Sequence, residues 1–301
     1  MAENWDEEVF GQFADVGLSL DSILKGGTYK IKQYVSMGHI NLVYLAEKKK
    51  GNQIKQVLIK EFCPYDYANR DLDKKTLVCK GDAFKRQYED AKKIFERECK
   101  IHQRISMLPF KQRSNIVQYF ECFEENNTKY LVLEYILGVD LNHYIKSNSG
   151  LQFKEIAREI LFAIMQIHNI GIIHKDLKPS NLIVGEDHKI YVIDFGVAEF
   201  AEKKQDDSTI FVSKAFSAPE LYRKEKISFQ ADVYSVGAIF YYLLTGKMVQ
   251  SADERLYEDK VMPLSGFVTI PWILERAIMK CLYLLPEKRW SSLHILYILL
   301  R

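Results

Sequence analysis

In IIHKDLKPSNLIV, residues 172–184, four side chains able to do chemistry, His174, Asp176, Lys178 and Asn181, fall within eight residues, just before an apolar run. Pro179 keeps a regular helix from running through them. Downstream, Asp194 closes the apolar run IYVI. The segments LIV and IYVI flank GEDHK and read as a short hairpin, so Asn181 begins one arm and Asp194 ends the other. Antiparallel pairing brings those ends side by side. An amide oxygen and a carboxylate at one point form a hard-oxygen pair suited to Mg2+. Asp176 can face the same point as a proton acceptor.

A matching cation is offered upstream. In VLIKEF, Lys60 alternates with apolar neighbours and shares a face with Leu58. Phe84, Tyr88, Ala91, Phe95, Glu98, His102 and Ile105 follow one another at spacings of 4 and 3, which places them on one face of a single long helix. Glu98 lies in that inward stripe, whereas Glu96 does not. A carboxylate on an apolar face is costly unless paired, and Lys60 is the natural partner. Taken singly, Lys60 also reads as an exposed strand lysine and Glu98 as the edge of the stripe.

The elements that position these residues belong to a chain of 301 residues, enough for one large domain or two lobes with substantial cores. It is 48% hydrophobic and 27% charged, an ordinary globular composition, and its net charge of +2 points to no nucleic-acid partner. The five cysteines, Cys63, Cys79, Cys99, Cys122 and Cys281, are odd in number and never spaced C-x-x-C. They argue against a disulfide framework or a structural zinc and for a reducing, cytoplasmic setting. The acidic start MAENWDEEVF is unlike a secretory leader, and no apolar run reaches the ~18 residues of a membrane span.

Residues 28–62 alternate as strands do, 63–81 read as irregular and polar, and 116–136 read as strands about a turn at Asn126-Asn127. Lys48–Lys50 reads as a solvated turn. After Gly138 the chain is mainly helical, and ADVYSVGAIFYYLL, 231–244, is apolar almost all round, as a buried helix is. The layout is a small β-rich lobe, a join near 134–140 and a larger helical lobe; a cleft between lobes is a common ligand site. YVSMGHINLVY, 34–44, carries one glycine between strands and by itself reads as a plain turn before a phosphate-wrapping loop.

In chain order, Lys60, Glu98, the H-x-D-x-K-x-x-N loop of 174–181, D-F-G at 194–196 and A-P-E at 218–220 resemble the signature set of the protein kinases. The 18-residue step from Asp176 to Asp194, DVYSVG at 232–237 and Arg289 in LLPEKRW fit the same pattern. The resemblance covers residues 28–300. It implies a bilobal α+β kinase fold: an N-terminal extension at 1–27, a small antiparallel β-rich N-lobe with one long helix and the hinge at 28–136, and a larger, mainly helical C-lobe at 137–301.

The resemblance also implies roles. Lys60 contacts the α- and β-phosphates of ATP, the co-substrate, and is held by Glu98. Asn181 and Asp194 bind Mg2+, with Mn2+ as the alternative ion. Asp176 orients the substrate hydroxyl and accepts its proton, and Lys178 steadies the γ-phosphate. Gly38 and Val43 cover the nucleotide, Leu133 backs the adenine pocket, and the backbone of Glu134 and Ile136 bonds adenine. Asp140 meets the ribose, and Ile183 also lines the nucleotide site. Glu220 pairs with Arg289, and His174 packs and hydrogen-bonds instead of acting as a base.

The lysine in DLKPSN resembles serine/threonine kinases, and Ser213 stands where that class usually has threonine. GGTYKIKQYV, IKEFCPYDYANRD and FEENNTKYLVLEYI are similar to bacterial eukaryote-type kinases. The activity expected is transfer of the γ-phosphate of Mg-ATP to Ser/Thr hydroxyls of proteins, autophosphorylation included. The alternative is a pseudokinase or nucleotide-sensing scaffold. Three departures stand out. Only Gly38 remains of G-x-G-x-x-G, with Ser36 and Asn41 at other glycine sites and Asn41 expected to hold a positive φ. Lys175 replaces the usual arginine, so phosphorylation within 206–213, at Ser208, Thr209 or Ser213, is expected to matter less than in kinases that carry the arginine. The stretch between Lys60 and Glu98 is long, its excess near 63–83 reading as a tolerated surface loop ahead of a partner surface.

Overall fold

The computed structural model describes residue 13 and residues 16–147, 152–201, 215–223 and 226–300. Among these, the residues up to Met107 together with Gln118–Tyr135 form one compact unit, and Leu108–Val117 with the residues from Ile136 onward form a second.

The first unit is built on an antiparallel sheet of β1 (Ile23–Leu24), β2 (Tyr29–Met37), β3 (Asn41–Lys50), β4 (Gln53–Phe62), β7 (Tyr119–Glu125) and β8 (Thr128–Glu134), in the order β1-β2-β3-β4-β8-β7. The period-2 alternation of its β-branched and aromatic residues fits a pleated surface with buried faces. Asn126 and Asn127 close the β7–β8 hairpin at φ 53 and 54, the left-handed geometry that suits a two-residue hairpin and that asparagine tolerates. Lys48–Lys50 end β3, and the turn itself is Gly51-Asn52, with Gly51 at φ 60. Helix α1 (Lys85–Ser106) buries Tyr88, Ala91, Phe95, Glu98, His102 and Ile105. Phe84 departs from the expected stripe. It ends a 3-10 turn before the helix and is exposed, with its ring 6.3 Å from that of Tyr67.

Residues 63–81 are not irregular throughout. Ala68–Arg70 (β5) and Leu77–Cys79 (β6) pair as a hairpin, and Asp73 turns the chain by accepting from the amides of Lys75 and Thr76, each at 2.8 Å. Arg70 carries the hairpin's anchor. Its guanidinium grips Glu61 on β4 with two bonds of 2.8 and 2.6 Å, and Glu61 also accepts from Tyr44 (2.7 Å) and Tyr130 (3.0 Å). The segment before β1 joins the same network. Arg70 Nε donates to Val16 O at 2.8 Å, Leu18 N–H donates to Tyr44 Oη at 3.1 Å, and the Phe13 ring stacks on Tyr34 at 4.7 Å. The long insertion is therefore tied into the sheet by a buried ion pair, which a tolerated loop would not be.

The second unit is mainly helical, with α2 (Leu141–Ser147), α3 (Phe153–Asn169), α4 (Phe229–Thr245) and α5 (Trp272–Cys281). Helix α4 is buried continuously over 231–241, as its all-round apolar sequence requires. A Cβ on Gly237 would stand 2.6 Å from the Cys281 Cβ, so glycine lets α4 and α5 approach. Two small sheets carry the polar loops: β12-β11-β9 (Ile190–Val192, Leu182–Gly185, Gly138–Asp140) and β10-β13 (Ile172–Ile173, Glu199–Phe200). Leu108–Val117 joins this unit through Asn115, whose side-chain amide donates to Ile190 O at 2.9 Å, and Val117, whose N–H meets Val192 O at 3.4 Å.

Candidate active site

In the first unit, Lys60 and Glu98 meet. Lys60 Nζ lies 2.6 Å from Glu98 Oε1, and both side chains are buried. Strand β4 delivers the lysine and the apolar face of α1 the carboxylate; His102, one turn further on, comes within 4.0 Å of the same oxygen. Val43 is the register partner of Lys60 across β3–β4, and Leu133, on β8, is the partner of Leu58. Glu134 follows, its N–H held by Gln118 O at 2.8 Å and its carboxylate 3.5 Å from Lys55 Nζ.

The loop at Gly38 differs from the expectation. Asn41 is not left-handed; it begins β3 as the partner of Phe62, and Gly38 is not left-handed either. The reason is the closure of the loop. Gly38 N–H donates to Asn41 O at 2.8 Å and Cys63 N–H to Ile40 O at 2.9 Å, which keeps Asn41 in strand register. A Cβ at position 38 would sit 3.0 Å from Asn41 Oδ1, so the glycine makes room for the asparagine side chain.

In the second unit, the residues singled out for chemistry gather on one loop. Lys178 Nζ donates to Asp176 Oδ2 at 2.8 Å. Asn181 Nδ2 donates to Asp176 O at 2.8 Å and lies 3.2 Å from Asp176 Oδ2. The turn Pro179–Asn181 opens with the proline, whose missing N–H costs nothing at that position. Antiparallel pairing of Leu182 with Val192 is extended by Ile193 N–H to Asn181 O at 3.1 Å, so Asp194 stands one residue past the point opposite Asn181. Asp140 is the register partner of Ile183, and its Oδ1 caps α2 by accepting from the amides of Asn142 (2.8 Å) and His143 (3.1 Å). Gly138, two residues before, could not carry a side chain: its Cβ would fall 2.2 Å from Val184 O. Ile136 is half-buried at the start of this unit.

A buried carboxylate holds this loop in place. Asp232 on α4 accepts from the backbone N–H of His174 (2.8 Å) and of Lys175 (2.9 Å), and lies 2.9 Å from His168 Nε2. Burial alone would raise its pKa; the hydrogen bond from His168 and its neighbouring partners outweigh that and hold it below the ordinary 3.8. Lys175 (φ 67) and Asp194 (φ 64) are left-handed, a strain of about 1–3 kcal/mol each that needs such anchors. Lys175 Nζ turns to Glu199 on β13 at 3.0 Å. The His174 ring packs on Phe195 at 5.1 Å and contacts Ile193 O at 3.2 Å, a supporting part. Glu220 and Arg289 form the expected buried pair through two bonds of 2.6 and 2.9 Å.

Asp232, inside the DVYSVG segment, is a positioning residue to which the motif spacing assigns no role. The signal was there: a carboxylate inside an otherwise apolar helix is costly unless paired, the same argument that singled out Glu98. Among the described residues, no three His, Cys, Asp or Glu side chains converge as a metal site. Asn181 and Asp194 nevertheless fit a hard cation by donor chemistry, because the Asn181 amide nitrogen faces Asp176 and leaves its oxygen turned the other way.

The protein kinase domain profile matches residues 66–296. The chain belongs to the protein kinase family. This kinase is 30% identical over 210 residues to a probable serine/threonine-protein kinase of Clostridium acetobutylicum, covering 66% of this chain and 31% of that protein. It is 28% identical over 277 residues to serine/threonine-protein kinase D of Synechocystis sp., covering 89% of this chain and 51% of that one. It therefore spans about half, or less, of these relatives' length. The apo form of PpkA-294 shares the fold, with a TM-score of 0.76 over 95% of this chain and 99% of that chain at 22% identity. The fold is the α+β kinase fold, and both of these sequence relatives are bacterial serine/threonine-protein kinases. The family uses ATP and a divalent metal and acts on proteins. No helix among the described residues is long and apolar enough to cross a membrane.

Proposed function

We propose that this kinase domain is catalytically active and transfers the γ-phosphoryl group of ATP, with Mg2+, to Ser or Thr hydroxyls of a protein, its own chain included. The carrying observation is that both polar constellations are assembled: Lys60 on Glu98 at 2.6 Å, and Lys178 and Asn181 around Asp176. Asp176 accepts the proton of the attacking hydroxyl while Asn181 and Asp232 fix the loop that bears it. Lys178, beside the acceptor oxygen, supplies positive charge where the transferred group carries negative charge. Lys60, oriented by Glu98, holds the α- and β-phosphates. Asn181 and Asp194 would hold Mg2+, which neutralises phosphate charge when bound. To nucleotide binding we assign Gly38, Val43, Leu133 and Glu134 of the first unit and Ile136, Asp140 and Ile183 of the second. We assign residues 28–136 to the N-lobe and hinge, 137–301 to the C-lobe and 1–27 to an extension, and expect a cytoplasmic setting without a nucleic-acid partner.

No observation favours the scaffold alternative, since every chemical position is filled. The test is label transfer from γ-labelled ATP to the chain itself and to a basic protein acceptor, with divalent cations chelated and then restored as Mg2+ or Mn2+. Metal-dependent labelling on Ser or Thr, lost in Asp176→Asn, is the expected result. ATP binding without any transfer would establish the scaffold instead.

A further inference from the structure

Cys99 and Cys122 form a pair that phosphotransfer does not use. Cys99 lies on the buried face of α1, one residue past Glu98, and Cys122 lies on β7. Their sulfurs are 3.1 Å apart although they are 23 positions apart in sequence. A disulfide bond of about 2.05 Å needs an approach of about 1 Å, within reach of small side-chain rotations. The pair is also reachable. Cys122 is only half-buried, and an open cavity of about 500 Å3 is lined by both cysteines together with Lys100, Gln103, Tyr119 and Lys129.

We propose that Cys99 and Cys122 are a reversible dithiol–disulfide site that closes under a hydroperoxide and ties α1 to β7. Cys122 is the residue that reacts first. The Cys99 sulfur beside it, and then the Lys129 ammonium, lower its pKa, whereas Cys99 is raised by the same hydrogen bond and by burial. The Cys122 thiolate attacks one peroxide oxygen and the O–O bond breaks. The leaving hydroxide takes up a proton as water, and Cys122 becomes a sulfenic acid. The Cys99 thiol then attacks the Cys122 sulfur, the S–O bond breaks, and a second water leaves with the Cys99 proton. Two thiols are oxidised and one peroxide is reduced to two waters. Cys63 and Cys281 do not compete, because burial pushes each thiol up to about 12. The closed bridge fastens the helical turn that bears Glu98 to the sheet.

The experiment uses the whole chain, reduced and then treated with stoichiometric hydrogen peroxide under native conditions, alkylated, digested and mapped by mass spectrometry. The expected product is a Cys99–Cys122 linked peptide lacking two hydrogens and restored by dithiothreitol. Cys99→Ser should instead leave a dimedone-trappable sulfenic acid on Cys122, and Cys122→Ser should leave Cys99 reduced. The bridged chain should also resist urea, its unfolding equilibrium shifted toward the native state on the order of a hundredfold. Both cysteines still alkylatable after Cys79 has been fully oxidised would overturn the proposal. So would linkage of either to another cysteine, or a bridge formed only in urea. The wild-type peptide map decides the matter even if a serine variant does not fold, and it reads mass, so it stands apart from the outcome of the phosphotransfer assay.

Discussion

Lys60 and Glu98 are a buried ion pair whose worth is positional. Breaking such a pair leaves one charge uncompensated, which costs about 3–5 kcal/mol, while removing both partners costs far less. Lys60→Ala and Glu98→Ala are each expected to lower kcat/KM severely, and the double variant only slightly further, because the two act as a unit. Steady-state kinetics of all four proteins checks this; strictly additive losses would separate the two residues. Asp176→Asn keeps the shape of the side chain and removes a proton acceptor. It should cut kcat about 10^2–10^4-fold while ATP affinity, measured by calorimetry, stays as it was. Asp232 gives a pH signature. Its folded pKa lies below 3.8, so near pH 4 the unfolded chain takes up the proton first. The stability it contributes is complete above that pH and is lost as the pH falls through the lower, folded value. Urea midpoints should therefore fall more steeply below about pH 4 in the wild type than in Asp232→Asn.

At the scale of elements, the β5–β6 hairpin is held by charge. Arg70→Ala strands Glu61 among Tyr44, Tyr130 and the apolar face of β4, and is expected to destabilise the first unit by about 3–5 kcal/mol, with Glu61→Gln restoring a large part. Chemical denaturation of both variants reads the difference. This hairpin also marks where the sequence ceased to be legible. Strands of nine or ten residues announce themselves by alternation, and the 4-3 stripe of α1 turns Glu98 to the buried face where it meets Lys60. Three-residue strands carry no period, and the bond that secures them, Arg70 to Glu61, joins residues nine apart through side chains alone. The Gly38 loop departs from expectation for a related reason. Residue type suits Asn41 to a turn, whereas the backbone bond from Gly38 to Asn41 keeps it in β3. Asn41→Gly is accordingly a strand-weakening change, by about 0.5–1 kcal/mol, and not a relief of strain.

For the whole molecule, the ion pair of Lys175 with Glu199 bears on regulation. The lysine that replaces the usual arginine already has an acidic partner within its own unit. Ser208, Thr209 and Ser213, the hydroxyls considered for phosphorylation, lie outside the described residues. Phosphatase treatment is expected to change activity by less than about tenfold, since a lysine meets phosphate only as a point charge. A loss of a hundredfold or more would refute this. The segment ahead of the recognisable kinase domain has a consequence of another kind. Strand β1 covers the start of β2 through Leu24 and Tyr29, and Phe13 shields the ring of Tyr34. A chain trimmed to begin at Tyr29 would lose the cover over Tyr29, Lys30 and Ile31 and the Phe13 stack on Tyr34, so that the nine-residue rim of β2 would stand open from its first residue, with free backbone donors and acceptors and uncovered aromatic rings. Two such rims can zip together across molecules, so the shortened chain should self-associate where the full one does not, a difference that light scattering at matched concentration would register.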